Sequence, residues 1–571
     1  MVTAPRARSS SPGSGALHRS SPRERAWRAV LIAGLVGWTA LAASLDNGHL
    51  GVFQDDGLYL TSARSLRDGK GFGLPSRPGE PPPKYPIGLP ATIALALKLD
   101  PGTPSLGREI AAGRIVVLLG AWAFFLGAHA WLRKLGVGPG AACGIVLATA
   151  YHHIVLVGGA ITIFADLPFA GVAFVLLNRW AGRKDAPEER AGGRAFWDGA
   201  IAGFAVLLRS NGITLAFAAL VAAALGPRRS SSLAACLAGL VLAVVPASYY
   251  AGQHPRVVPS NSYLLELKSG WSSPEAGLRI LATNAESMAL DFPARVLASP
   301  ATYSDPVVKL LARRPALSLA FRGTLALIVA AGLVSLARST RRADWPAWAH
   351  ALGSMAIFSA WPWTGIMDRF LLSTIPMVVL AFARGLGGLA GVVGFGPKGR
   401  RAIVAAGLAL VVLGNAGVVL RGASLFHRQG RQWPGASTRA SLSEALGLIR
   451  ERTEPDAVVA AVWPEMVHLY TGRTSVPLAE DEALMHGRAG DVSRLHLWRG
   501  QVPGRPFYIL ARGKDEGGAY SEIDLPQVAA FGAGPGVALA EFARTADGRY
   551  LIFRVDPDSP ADGSPGEGSP R

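Results

Sequence analysis

Apolar residues in this chain arrive in long blocks rather than in alternation, and short charged segments separate the blocks. A helix crossing a ~30 Å hydrocarbon layer needs about 20 apolar residues, and about eleven blocks approach that length. They cover 28–45, 110–132, 140–158, 163–180, 196–208, 212–226, 233–252, 316–337, 346–363, 369–386 and 402–421. Two of them, 196–208 and 212–226, are short and meet at a polar break, Arg209-Ser210-Asn211-Gly212. One long kinked helix there would put the downstream basic loops on the wrong side, so they count as two. The apolar stretch 86–99 is too short to span and predicts an interfacial or re-entrant helix on the outer side.

Beyond about 421 the pattern changes. A helix at 441–452 leads into apolar runs of strand length at 456–463, 507–510 and 550–555, bounded by turn residues. The expected organisation is a disordered tail over 1–25, a transmembrane domain over 26–421 with a large outer loop at 46–109, a small α/β domain over 437–556, and a Pro/Gly/Ser-rich tail over 557–571. The fold class is a polytopic α-helical membrane protein with a small C-terminal extracytoplasmic α/β domain.

Composition supports the membrane reading. Of 571 residues half are hydrophobic and 17% charged, whereas a soluble domain carries about a quarter charged. The net charge of +18 raises nucleic acid as a partner. The basic residues, however, sit in clusters between apolar blocks rather than in one stripe, as positive-inside anchoring requires, so nucleic acid is set aside. Arg133/Lys134, Arg228/Arg229, Arg338/Arg341/Arg342 and Lys398/Arg400/Arg401 fall in every second loop, which places the N-terminus in the cytoplasm and the C-terminal domain outside. The first block lacks a small-residue cleavage site and reads as a retained helix. Cys143 and Cys236 lie inside apolar blocks and read as packing residues.

The outer loop carries Asp55-Asp56, Tyr59, and a Pro-rich Lys84-Tyr85-Pro86-Ile87-Gly88. Adjacent carboxylates beside a membrane helix are costly unless solvated or used, and one charge raising its neighbour's pKa can create a base. A solvated acidic turn accounts for the same residues. Asp166 opens the fourth block, where an N-cap ahead of Pro168 is the ordinary role. Arg209 lies in the polar break, and Asp368-Arg369 opens the tenth block as an anchor or a local ion pair. His152 and His153 lie inside the third block and read as packed or hydrogen-bonded. Acidic groups gathered with cations at one membrane surface suit an anionic lipid phosphate that must also leave.

These motifs resemble the GT-C superfamily of polyprenyl-phosphate-dependent glycosyltransferases, near the protein O-mannosyltransferases and the lipid A aminoarabinose transferases. The matching stretches are Asp55-Asp56-x-x-Tyr59 with Gly69-x-Gly71, Lys84-Tyr85-Pro86-x-Gly88, Ala165-Asp166-x-Pro168, Gly203 to Gly212 through Arg209, and Asp368-Arg369-Phe370 with Pro376. The resemblance implies a bacterial inner-membrane enzyme that moves a sugar from a polyprenyl-phosphate donor to a glycan, lipid or protein acceptor, with inversion. It implies Asp55 as the base and Asp56 as its supporting acid, where the commoner pair is Asp-Glu. Tyr59, Lys84, Asp166, Arg209 and Arg369 would bind substrate, with Lys84, Arg209 and Arg369 neutralising the phosphate. Asp166 matches a position that binds a divalent metal in some branches and not in others, so the cofactor stays unassigned. A lipid or sugar transporter or flippase would instead place ionisable groups near the midplane of repeated halves. A non-catalytic membrane protein with a partner-binding outer domain would leave the carboxylates without a task.

Overall fold

The computed structural model describes residues 21–45, 50–51, 55–77, 85–100, 102–156, 162–181, 191–226, 228–252, 267–268, 270–341, 344–362, 367–429, 439–478, 493–513, 521–534 and 537–555. Each of the apolar blocks is helical over most of its length. Among the described residues, six helices are long and apolar enough to cross a membrane: Pro22–Ser44, Leu106–Lys134, Arg229–Tyr250, Pro315–Ser339, Leu372–Val392 and Pro397–Arg428. Their outward faces carry large apolar side chains such as Leu119, Val241, Leu327 and Leu410, all more than half exposed. In water that belt would be costly, whereas in lipid it is the solvent-facing surface.

Shorter helices fill the interior. Asp166–Ala181 buries eleven of its sixteen residues and packs along Leu106–Lys134. Small residues let helix backbones touch: a Cβ on Gly199 would stand 2.0 Å from the Cys236 carbonyl oxygen, and one on Gly239 at 2.0 Å from that of Phe196. Helices Ala191–Leu208 and Arg229–Gly252 are joined by this contact, the small-residue packing that membrane helices use in place of a hydrophobic drive.

Several boundaries differ from expectation. The first helix begins at Pro22, capped by Ser21, inside the stretch expected to be tail. The outer loop holds a second helix besides Gly88–Leu99: Asp55–Arg67, with both acidic residues in its first turn and Arg64 and Arg67 in its last. That charge order complements the helix dipole and is a helix signal the apolar pattern could not show. The third block ends as a helix at Ala150, so His152 stands in the break before the His153–Leu156 turn. Asp368 and Arg369 do not open the tenth helix. They sit in a separate turn, Met367–Phe370, and the helix starts at Ile375 with Pro376 in its first turn, where a missing N–H is harmless. Between 274 and 313 run short helices that no long apolar block announced.

The C-terminal residues form a five-stranded sheet: β1 Val458–Ala461, β2 Thr474–Pro477, β3 Phe507–Arg512, β4 Leu539–Arg544 and β5 Tyr550–Val555, in the order β2-β1-β3-β5-β4. β2, β1 and β3 run parallel, and β5 and β4 are antiparallel additions. Val458 and Ala460 meet one apolar cluster while Val459 and Ala461 meet another, so helices cover both faces. Burial on both faces is why β1 reads as a continuous apolar run. β2 and β4, unread from sequence, are the sheet's edges, and β4 is half exposed with a bulge at Glu541/Ala543.

This sheet domain is fastened to the outer loop. Glu465, fully buried in helix Pro464–Thr471, forms an ion pair with the Arg77 guanidinium. Ser475 donates its backbone N–H to Ser76 at 3.0 Å, and the Tyr470 hydroxyl accepts from Leu50 N–H at 2.8 Å. Gly51, at φ +100°, presses against Met466, where any Cβ would stand within 2.9 Å of the backbone. Removing one partner of a buried pair costs about 3–5 kcal/mol, whereas apolar replacement of both is tolerated. Glu465→Gln should therefore lower the thermal midpoint and speed limited proteolysis at the domain junction. The double change Arg77→Met/Glu465→Leu should recover most of the loss. An unchanged Glu465→Gln protein would show that the pair does not hold the domain.

Candidate active site

Asp55 and Asp56 are neighbours on a helix, about 100° apart around its axis, so they face different surroundings. Asp55 is partly exposed. Its Oδ1 accepts the Tyr85 hydroxyl at 2.6 Å and its Oδ2 accepts Nη2 of Arg369 at 2.7 Å. Asp56 is fully buried, and its Oδ1 accepts the backbone N–H groups of Gly51 and Gly57, each at 2.9 Å. Its Oδ2 has no hydrogen-bond partner among the described residues. Burial, with the Asp55 charge adding to it, pushes the Asp56 carboxyl up to about 7 against the pull of its backbone donors. One carboxylate thus faces the membrane-domain arginines, and the other ties the loop onto the helix start.

From Asp55 a chain of alternating charge runs inward. Arg369 pairs with Asp55 and has its Nε 3.6 Å from Asp166 Oδ2. Asp166, first residue of its helix and 1% exposed, in turn pairs with Arg209 through Oδ1. Its charge is therefore spent on two guanidinium groups in addition to any role at the helix start. Phenyl rings hold the cations in place: Arg369 lies 4.2 Å from the Phe164 ring centroid, and Arg209 lies 4.6 Å from that of Phe370. Phe370 stacks on Phe358 at 5.2 Å. Arg209 is placed by the polar break, an extended residue before the Ser210–Gly212 turn.

The structure brings Asp55, Asp166, Arg209 and Arg369 into one ionic chain. Tyr59, one helical turn after Asp55, is buried with its ring 5.5 Å from that of Tyr85. Lys84 lies outside the described residues. Asp368 does not pair with Arg369. It forms an ion pair with Arg295, Nε to Oδ2 at 2.6 Å, and the Arg295 carbonyl meets His152 Nε2 at 3.0 Å. Sequence reasoning missed Arg295, which lies in the unpatterned stretch before 316. It also missed Glu109, 3% exposed, whose carboxylate takes Arg64 at 3.0 Å through Nε and Arg67 at 2.5 Å. That contact pins the far end of helix Asp55–Arg67 to helix Leu106–Lys134. The charge order of helix Asp55–Arg67 was the one signal that could have found it. His350, missed too, bridges Thr214 at 2.9 Å and Ser373 at 3.0 Å beneath the site.

Two guanidinium groups lie against Asp166, and among the described residues no three His, Cys, Asp or Glu side chains gather as a ligand set.

No family model and no curated protein matches the sequence. Among solved structures, ArnT from Cupriavidus metallidurans bound to undecaprenyl phosphate is similar at 16% identity over 94% of this chain and 98% of that one, with a TM-score of 0.58. An Archaeoglobus fulgidus oligosaccharyltransferase tethered to an acceptor peptide is similar at 13% identity over 93% and 75%, with a TM-score of 0.53. AglB from the same organism, in complex with an inhibitory peptide and a dolichol-phosphate, is similar at 12% identity over 95% and 76%, with a TM-score of 0.50. The chain therefore shares the fold of these proteins, which are GT-C glycosyltransferases, the class its motifs resemble. ArnT, an aminoarabinose transferase, is matched along nearly the whole of both chains.

Because the Asp56 carboxyl keeps its proton to about 7 when folded and to 3.8 when unfolded, the folded state holds the extra proton between those values. Its contribution to stability is full below about 4 and is lost as pH rises towards 7, by at most about 1.4 kcal/mol for each pH unit. Asp56→Asn should remove that slope. Thermal midpoints of both proteins across pH 4 to 8 test this, and parallel curves would refute the buried-proton assignment.

Proposed function

We propose that this protein is a membrane glycosyltransferase of the inner membrane, moving a sugar from a polyprenyl-phosphate donor to an acceptor on the outer side. The observation that carries the reading is Asp55, held between the Tyr85 hydroxyl and Arg369 at the mouth of a four-residue ionic chain. The fold neighbours bound to undecaprenyl phosphate and dolichol-phosphate support a lipid phosphate as the leaving group.

The chemistry follows from donor and acceptor capacity. Each Asp55 oxygen holds one strong donor and keeps a lone pair, so it can take the proton of an acceptor hydroxyl. The deprotonated oxygen attacks the sugar C1 as the C1–O bond to phosphate breaks, in a single displacement that inverts the anomeric centre. The polyprenyl phosphate departs with the electron pair. Arg209 and Arg369 meet that charge, since each guanidinium has five N–H donors and the aspartates use only part of them. Orientation follows from the basic loops: the N-terminus is cytoplasmic, and the sheet domain lies outside with the acceptor. Asp56 acts as a positioning residue for Asp55, through Gly51 and Gly57. Tyr59 and Lys84 remain candidates for binding the donor, on the sequence motif alone.

Purified protein given a synthetic polyprenyl-phosphate sugar and a hydroxyl acceptor should transfer the sugar. Asp55→Asn should cut that rate by at least about a hundredfold in protein that still folds, with a lowered thermal midpoint because Arg369 loses its charged partner. A fully active Asp55→Asn enzyme would sink the base assignment, and absence of any transfer across a donor panel would favour a transporter or binding role. Mass spectrometry of surface glycans from a strain lacking the protein identifies the sugar and acceptor.

A further inference from the structure

Helix Leu106–Lys134 carries Glu109 of the active-site side in its first turn and ends at Arg133 and Lys134. At 1.5 Å per residue the two ends stand about 36 Å apart, a full bilayer core. Beside the far end begins helix Pro22–Ser44, and the two helices enclose a groove of about 460 Å³. Its composition grades along the helix axes. At the end near the chain's N-terminus it is lined by Arg28, His129 and Arg133, with Glu24. One turn deeper it is lined by Leu31, Ile32 and Leu126.

Arg28 and Arg133 come from different helices and converge on one carboxylate oxygen, Glu24 Oε1, at 3.1 and 3.7 Å. Two guanidinium groups against one carboxylate leave one positive charge in surplus. Arg28 keeps 61% of its side chain exposed, so its donors remain open to a second anion. Ile32 and Leu126 are each more than two-fifths exposed, so the deeper wall faces lipid rather than protein.

We propose that this groove is a binding site for an anionic phospholipid of the leaflet opposite the active site. The phosphodiester lies between Arg28 and Arg133, and an acyl chain lies along Leu31, Ile32 and Leu126. Guanidinium groups suit phosphate oxygens in bidentate geometry, and the depth order of charge and grease matches a lipid's own. A zwitterionic headgroup would bring its ammonium to the same cationic rim, so the surplus charge selects the anionic lipid. This inference rests on the membrane reading alone and stands whatever reaction the far side performs.

The test is native mass spectrometry of the full chain released from nanodiscs of phosphatidylcholine doped with phosphatidylglycerol. Wild type should retain phosphatidylglycerol above its share of the bilayer. Arg28→Gln should reduce retention roughly fivefold and Arg28→Gln/Arg133→Gln further, at about that factor per arginine. Arg400→Gln/Arg401→Gln, a basic pair on an exposed helix end outside the groove, should change nothing. The single variant guards against misfolding, because Arg28 touches only Glu24 among its described contacts. Equal retention of both lipids by wild type would overturn the proposal. So would Arg28→Gln behaving as wild type, or the Arg400/Arg401 control losing as much.

Discussion

Burying an ion costs several kcal/mol unless a partner repays it at close range, and this fold buries Asp166 and most of Asp55, Arg209 and Arg369 in one place. Each of the four comes from a different segment: the start of an outer-loop helix, the first residue of an interior helix, a polar break, and a turn before a membrane helix. None is tolerable there alone. The helices must therefore pack so that the charges meet in alternating order, and the phenyl rings of Phe164 and Phe370 fix where the cations lie. The chain is electrically balanced among its own members. A lipid phosphate entering beside it would disturb that balance, which is the kind of preorganised setting in which charge movement is stabilised rather than merely tolerated.

The mouth of this ionic chain is supported from outside. Helix Pro464–Thr471 belongs to both cores: Met466 and Val467 pack under the sheet, while Leu469 packs with the membrane helices. Its Glu465 also lies against Gly57, the residue after Asp56. Gly51 and the first turn of the helix that carries Asp55 thus lie directly against the sheet domain. The sheet domain is in this sense part of the frame around the candidate site, and the Arg77–Glu465 pair is its fastening. At the other end of that helix the Glu109 clamp on Arg64 and Arg67 performs the matching task.

By itself the sequence determined the helical blocks, the polar break at Arg209, the strand character of runs at 456–463, 507–510 and 550–555, and the set of charged residues worth watching. These are legible because burial in lipid, or on both faces of a sheet, imposes local runs of apolar residues that need no knowledge of partners. Edge strand β4 and the short helices before Pro315 escaped because exposed positions give them mixed sequences, whereas β2 and helix Asp55–Arg67 are mostly buried but too short or too rich in polar residues to form an apolar run. The tertiary structure alone decided which charge meets which. Arg369 finds Asp55 across 314 residues and leaves its neighbour Asp368 to Arg295, and Asp55 and Asp56 part company though adjacent. Such pairings are set by how helices pack, and no local pattern records them.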